Sequence, residues 1–215
     1  MMEETALRIL RQVGVVITGS HFVYTSGKHG SAYVNKDGVY PYLEQTGDLC
    51  YGIAEEFRDD AVETVIGPAM GGIILSQWTA FHLARMTGGK RQVFAVYAEK
   101  SPDGESFVIK RGYDKFITGK RVLVVEDVLT TGSSAKKVIE AVRAIGGNIV
   151  GLGVLCNRGG ITPADVAWPL KLTALVDITL ETWNEADCPL CQQGVPINVD
   201  VGKGREFLAR QATKS

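Results

Sequence analysis

The stretch VLVVEDVLTTGSSAKK, Val122 to Lys137, constrains the fold of this chain more than any other. Four aliphatic residues run directly into two carboxylates. A short loop rich in hydroxyl groups, with one glycine, then opens a segment in which Ala135, Val138, Ile139, Val142 and Ile145 fall on one helical face. A continuous apolar run is the signature of a strand covered on both faces, and a helix returning after it is one half of a parallel crossover unit.

The same alternation recurs along the chain. Leu7, Leu10 and Val13 have helical spacing, as do Leu49, Cys50, Ile53 and Phe57. ETVIG reads as a short buried strand, GGIILSQWTAFHLARM as a helix ended by Gly88 and Gly89, and RQVFAVYAEK and RVLVV as further strands. The helix after RVLVV stops at Gly146 and Gly147, and NIVGLGVLCNRGG and LKLTALVDI supply two more strands. The pattern predicts an α/β fold with a central, mostly parallel sheet flanked by helices. With 215 residues, 45% of them apolar, no repeat and no linker, residues 1–215 read as a single domain.

A net charge of -1 gives no reason to expect nucleic acid or an anionic membrane surface as a partner. The apolar runs are strand-sized, and MMEETALRIL has no apolar signal core. A cytoplasmic location is the expectation.

In an open parallel sheet, ligands sit outside the carboxyl ends of the strands. After RVLVV come Glu126 and Asp127, then Thr130, Thr131, Gly132, Ser133 and Ser134. A hydroxyl-lined loop opening a helix aims N–H groups and a dipole at one point, which makes a cradle for phosphate. The paired carboxylates suit the hydroxyls of a sugar diol, or a hydrated Mg²⁺ beside a phosphorylated ligand. Ordinary capping by Ser133 or Ser134 would also account for the hydroxyls. TGGKR and TGKRV put arginine where a Walker loop requires Ser or Thr, and no G-x-G-x-x-G follows a strand.

Of the four cysteines, Cys50 and Cys156 lie in apolar stretches and read as core residues. Cys188 and Cys191 form a single C-x-x-C, with the three histidines, His21, His29 and His82, far upstream. Half of a zinc site, a redox pair and plain packing all remain open readings.

VLVVEDVLTTGSS resembles the signature of the type I phosphoribosyltransferases, and the likeness covers most of the chain. Within that family it is strongest for the orotate-using branch: HFVYTSGKHGSAYVN resembles its base-binding segment, IGPAMGG its pyrophosphate loop, and VLCNRGG the strand end that offers an arginine to orotate. The CPLC…GVP tail is similar to one branch of the same group.

The resemblance implies transfer of the phosphoribosyl group of 5-phosphoribosyl 1-pyrophosphate (PRPP) to orotate, aided by Mg²⁺, in a homodimer. It also implies a core over about 46–180, and a hood over the base site built from about 1–45 and the C-terminal segment. Thr130 to Ser134 would hold the 5-phosphate and Glu126 with Asp127 the ribose. Ala69, Met70, Gly71 and Gly72 would meet the pyrophosphate, and Lys28, Tyr33, Thr130 and Arg158 the base. Lys100, with Glu126 and Asp127, would act at the reacting centre, and Lys110 and Arg111 would add cations toward PRPP.

Three departures from the family pattern stand out: Thr25 where a basic residue is common, Gly71 where a lysine is common, and a loop, AEKSPDGESFVIKRG, poorer in lysine and lacking histidine. A purine-type or other-base phosphoribosyltransferase, and a non-catalytic sensor of PRPP or nucleotide on the same fold, are the alternatives.

Overall fold

The computed structural model describes residues 2–167 and 170–212. In chain order its elements are α1 (Met2–Gln12), β1 (Val16–Val23), β2 (His29–Val34), α2 (Leu43–Glu56), β3 (Thr64–Pro68) and α3 (Gly71–Met86). There follow β4 (Phe94–Lys100), β5 (Phe107–Val108), β6 (Arg121–Leu129), α4 (Ser133–Ala144), β7 (Asn148–Asn157) and α5 (Pro163–Val166). The last are β8 (Leu172–Asp177), β9 (Thr182–Trp183), α6 (Pro189–Gln192) and α7 (Gly204–Ala212). Contacts gather these into two units: Tyr40–Ile178 with the first part of α1, and Leu10–Val39 with the residues from Thr179 onward.

The first unit carries a six-stranded sheet in the order β5-β4-β3-β6-β7-β8, parallel except for the β4–β5 hairpin. The expected α/β architecture is therefore the observed one. Val122 through Asp127 are all buried, because β6 lies between β3 and β7 and both faces are covered. On one face α4 delivers Ala135, Val138, Ile139 and Val142 into a cluster with Val124, Leu152 and Val154. The α2 helix meets β7 where Gly151 and Gly153 leave room for Phe57 and Ile53. Hydrophobic burial of this two-sided kind, about 25 cal/mol per Å² of apolar surface, is the main stabilising term.

One strand boundary differs from the sequence expectation, and the capping alternative for the loop fails. The strand expected at RVLVV continues to Leu129, so Glu126 and Asp127 belong to it and pair with β7 through Glu126↔Val154, Val128↔Cys156 and Leu129↔Asn157. The helix after it is capped by Gly132 in the left-handed region, at φ 70°, rather than by Ser133 or Ser134. Val166 stands 2.7 Å from where a Cβ on Gly132 would lie, so both the conformation and the space call for glycine there.

The second unit is built on an antiparallel pair, β1 with β2, extended by the short β9. A register shift between Thr18 and Phe22 puts a bulge in β1. The C-terminal segment runs along this hairpin: the Asn198 N–H donates to the His21 carbonyl at 2.7 Å and the Lys203 N–H to the Val23 carbonyl at 2.8 Å. Its buried apolar residues include Leu10, Val13, Val15, Val16, Phe22, Val23, Val34, Val39 and Phe207. No helix among the described residues is long and apolar enough to cross a membrane.

Candidate active site

Three segments of the first unit converge at the carboxyl end of β6. Glu126 and Asp127 are 6% and 3% exposed, an unusual depth for adjacent carboxylates. Local hydrogen bonds fix both. Glu126 Oε1 accepts from the Asp127 N–H at 3.1 Å, Asp127 Oδ1 from the Val128 N–H at 2.7 Å, and Asp127 Oδ2 from the Tyr40 hydroxyl at 3.0 Å. Buried acids held in this way are oriented groups, and a ligand hydroxyl or hydrated cation meets them at little reorganisation cost.

The second segment is the turn between β3 and α3. Gly67 and Gly72 touch backbone to backbone: a Cβ on either would fall 2.6 Å from an atom of the other. The Ala69 N–H donates to the Ala98 carbonyl at 2.8 Å, Met70 is 80% exposed, and the Ala69–Met70 peptide is cis. Gly71 opens α3 directly against the acid pair. Its missing Cβ would lie 2.6 Å from Asp127 Oδ2 and against the Tyr40 hydroxyl. The glycine that stands where the family commonly has lysine is thus the residue that lets the Tyr40–Asp127 contact exist. Tyr40 itself escaped sequence reasoning; a lone tyrosine 87 positions from its carboxylate partner gives no local signal.

The third segment is the loop of Thr130, Thr131, Gly132, Ser133 and Ser134, which opens the twelve-residue helix α4. Thr131 Oγ1 accepts from the Ser133 N–H at 3.4 Å, and the left-handed Gly132 turns successive amides toward one side, an arrangement suited to an anion. Arg158 follows β7 beside this loop: its N–H and that of Gly159 both donate to the Leu129 carbonyl, at 2.9 and 3.0 Å. Asn157 clamps the next turn, donating to the Ile161 carbonyl and accepting from its N–H, each at 3.0 Å. Glu126, Asp127, Gly71, Thr130 to Ser134 and Arg158 are therefore brought together on one unit.

The remaining expected residues come from other elements. Lys100 ends β4, exposed, and its partner across the β4–β5 hairpin is Phe107. Lys110 and Arg111 gather on Glu99, with Arg111 Nε 2.7 Å and Lys110 Nζ 4.0 Å from its oxygens. Glu99 beside it raises the Arg111 pKa further. Lys28 and Tyr33 belong to the second unit. Lys28 is exposed at the β1–β2 turn, and the Tyr33 ring packs on Phe22 and Tyr24, with centroids 5.6 and 6.4 Å away.

The cysteines divide into two pairs with different surroundings. Burial pushes the Cys50 and Cys156 thiols up to about 12, so both are inert core residues. Cys188 and Cys191, by contrast, do not simply pack: the fold brings His21 and His29 to them, within the second unit. A histidine pair eight residues apart on a hairpin, combined with a distant C-x-x-C, was the available signal.

The sequence matches the phosphoribosyl transferase domain family over residues 42–189. It is 35% identical to the orotate phosphoribosyltransferase of Caldanaerobacter subterraneus subsp. tengcongensis over 197 residues, 92% of this chain and 96% of that one. It is 37% identical to the enzyme of the same name from Desulforamulus reducens, over 91% of this chain and 95% of the relative. Among solved structures, Mycobacterium tuberculosis H37Rv orotate phosphoribosyltransferase superposes with a TM-score of 0.65 at 23% identity, over 82% of this chain and 95% of that one. Its complex with PRPP gives a TM-score of 0.58 at 21% identity, over 82% and 89% of the two chains.

Proposed function

Because the chain belongs to the phosphoribosyltransferase family, we propose that it is an orotate phosphoribosyltransferase, converting PRPP and orotate into orotidine 5-monophosphate and pyrophosphate in pyrimidine synthesis. The observation that carries this reading is the buried acid pair at the end of β6, set between a phosphate-cradle loop and the tight glycine turn of α3.

The reaction needs no protein nucleophile. A ring N–H nitrogen of orotate forms a bond to C1 of the ribose as the bond from C1 to the pyrophosphate oxygen breaks; the pyrophosphate keeps the electron pair, and the nitrogen's proton passes to it or to water. Thr130 to Ser134 hold the 5-phosphate through amides and hydroxyls at the start of α4, while Glu126 and Asp127 accept hydrogen bonds from the ribose hydroxyls. Positive charge developing on the ribose ring lies near these two carboxylates, which stabilises it. Amides of the Ala69, Met70, Gly71 and Gly72 turn approach the pyrophosphate. Arg158, with its planar fork, suits the orotate carboxylate, and Thr130 borders the base. Lys100, Lys110 and Arg111 supply cations toward the leaving group.

Hard carboxylate oxygens are the donors Mg²⁺ takes, so Glu126 and Asp127 fit a hydrated Mg²⁺ held mainly by PRPP. When bound, that ion neutralises charge growing on the pyrophosphate. A homodimer is part of the proposal, supported by the apolar surface that Tyr42, Leu43, Tyr51 and Phe81 leave exposed on or beside α2 and α3. A cytoplasmic location accompanies the reaction class.

The test is a base panel. Protein, Mg²⁺ and PRPP are incubated separately with orotate, uracil, hypoxanthine, guanine and adenine, and pyrophosphate release is measured. Orotate alone should turn over. Turnover with a purine and not orotate would reassign the base, and tight PRPP binding with no turnover on any base would make the protein a sensor.

A further inference from the structure

The second unit holds a cluster that the phosphoribosyl chemistry does not use. His21 comes from β1, His29 from β2, Cys188 from the N-cap of α6 and Cys191 from its third position. Phe22↔Gly30 and Val23↔His29 pair across the hairpin, so His21 and His29 are diagonal neighbours on one face. One donor atom from each of the four residues lies within 4.8 Å of the other three, and His21, His29 and Cys188 are buried.

The individual separations resemble the edges of a coordination tetrahedron. With Zn–N of about 2.0–2.1 Å and Zn–S of about 2.3 Å, a tetrahedral ion needs N–S edges of about 3.6 Å and an N–N edge of about 3.4 Å. His21 Nε2 stands 3.6 Å from Cys188 Sγ and 3.8 Å from Cys191 Sγ, and His29 Nδ1 stands 3.3 Å from Cys191 Sγ. The nitrogen pair, 2.8 Å apart, would open by about half an ångström on taking up the ion.

The tautomer of His21 is fixed from outside the cluster. Its Nδ1 lies 2.9 Å from the Val195 carbonyl, which can only accept, so Nδ1 carries the proton and Nε2 turns a lone pair inward. A histidine whose second nitrogen is anchored on a carbonyl is the usual arrangement around a bound metal.

We propose that His21, His29, Cys188 and Cys191 bind one Zn²⁺ as a closed, structural site. Two sulfurs and two imidazole nitrogens in a tetrahedron are a zinc donor set, whereas Mg²⁺ takes oxygen. Four protein ligands leave no open position for substrate or water, so the ion is a staple and not a catalyst. It joins the β1–β2 hairpin to a C-terminal turn 167 residues away in sequence from His21. A small unit with a small core of its own gains most from such a link. The inference stands whatever reaction the other unit carries out.

Elemental analysis of protein expressed with zinc and purified without chelator should find one zinc per chain, and Cys191→Ser should lose it while the circular dichroism of the α/β sheet is kept. If that variant does not fold, the unaltered protein decides: after exchange with Co²⁺ it should show the strong visible bands of a tetrahedral ion and the near-ultraviolet thiolate transition. A chain that carries no zinc and, when titrated with Zn²⁺ or Co²⁺, takes up neither would overturn the proposal. So would an octahedral cobalt spectrum.

Discussion

At the scale of single residues, the contact between Tyr40 and Asp127 is the one whose removal is most informative. The Tyr40 hydroxyl donates to Asp127 Oδ2 at 3.0 Å in a part-buried setting, and Gly71 leaves the space in which they meet. A hydrogen bond to a charged group contributes about 1.5–3 kcal/mol, and each 1.4 kcal/mol is about tenfold in rate. Tyr40→Phe is therefore expected to lower kcat/KM for PRPP by at least about tenfold, with a small change in Tm, since the ring still packs. An unchanged kcat/KM would mean that Asp127 needs no external orientation. None of this was legible in the sequence. The acid pair announced itself by sitting at the end of an apolar run, but its partner arrives from a position that only the folded chain brings close, and nothing local marks Gly71 as the residue that makes room for it.

At the scale of elements, the sheet of the first unit was legible because its strands are covered on both faces and read as unbroken apolar runs. Strand ends were less so. The carboxylates of β6 look like loop residues by composition, yet pairing with Val154 and Cys156 carries the strand through them to Leu129. The hairpin of the second unit left still less trace: VITGSHFV contains a bulge and exposed Thr18 and Gly19 between its buried ends, which breaks the alternation a half-buried strand should show. Packing between α2 and β7 is a further feature that composition hid. Gly151 and Gly153 interrupt an otherwise aliphatic strand because a Cβ on the first would meet the Phe57 ring and a Cβ on the second would lie 2.5 Å from Ile53 Cγ2. Gly151→Val forces side chain into a space already filled, at a cost of about 1–3 kcal/mol. Chemical denaturation should show that loss as a lower midpoint with the slope unchanged, and a midpoint equal to that of the parent chain would show that α2 can retreat from β7 without loss.

For the whole molecule, the two units differ in what secures them, and that difference sets an expected order of opening. In the first, β6 is hydrogen-bonded to a neighbour on each side and roofed by helices, and Val122 to Val125, Leu152 and Val154 are fully buried. In the second, β2 has the eight-residue β1 on one side but only the two residues of β9 on the other. Local opening free energies fall where buried contacts are few, so the hairpin should open without the large sheet. Native-state hydrogen exchange should find the amides of Val124, Leu152 and Val154 limited by global unfolding, and those of Tyr33 and Val34 exchanging at least about tenfold faster. Removing zinc with a chelator should widen that gap by accelerating β1 and β2 alone, because the ligands of the proposed clasp all belong to the second unit. Equal protection in both sheets, before and after chelation, would mean that the hairpin is held by its apolar residues and that the two units unfold as one.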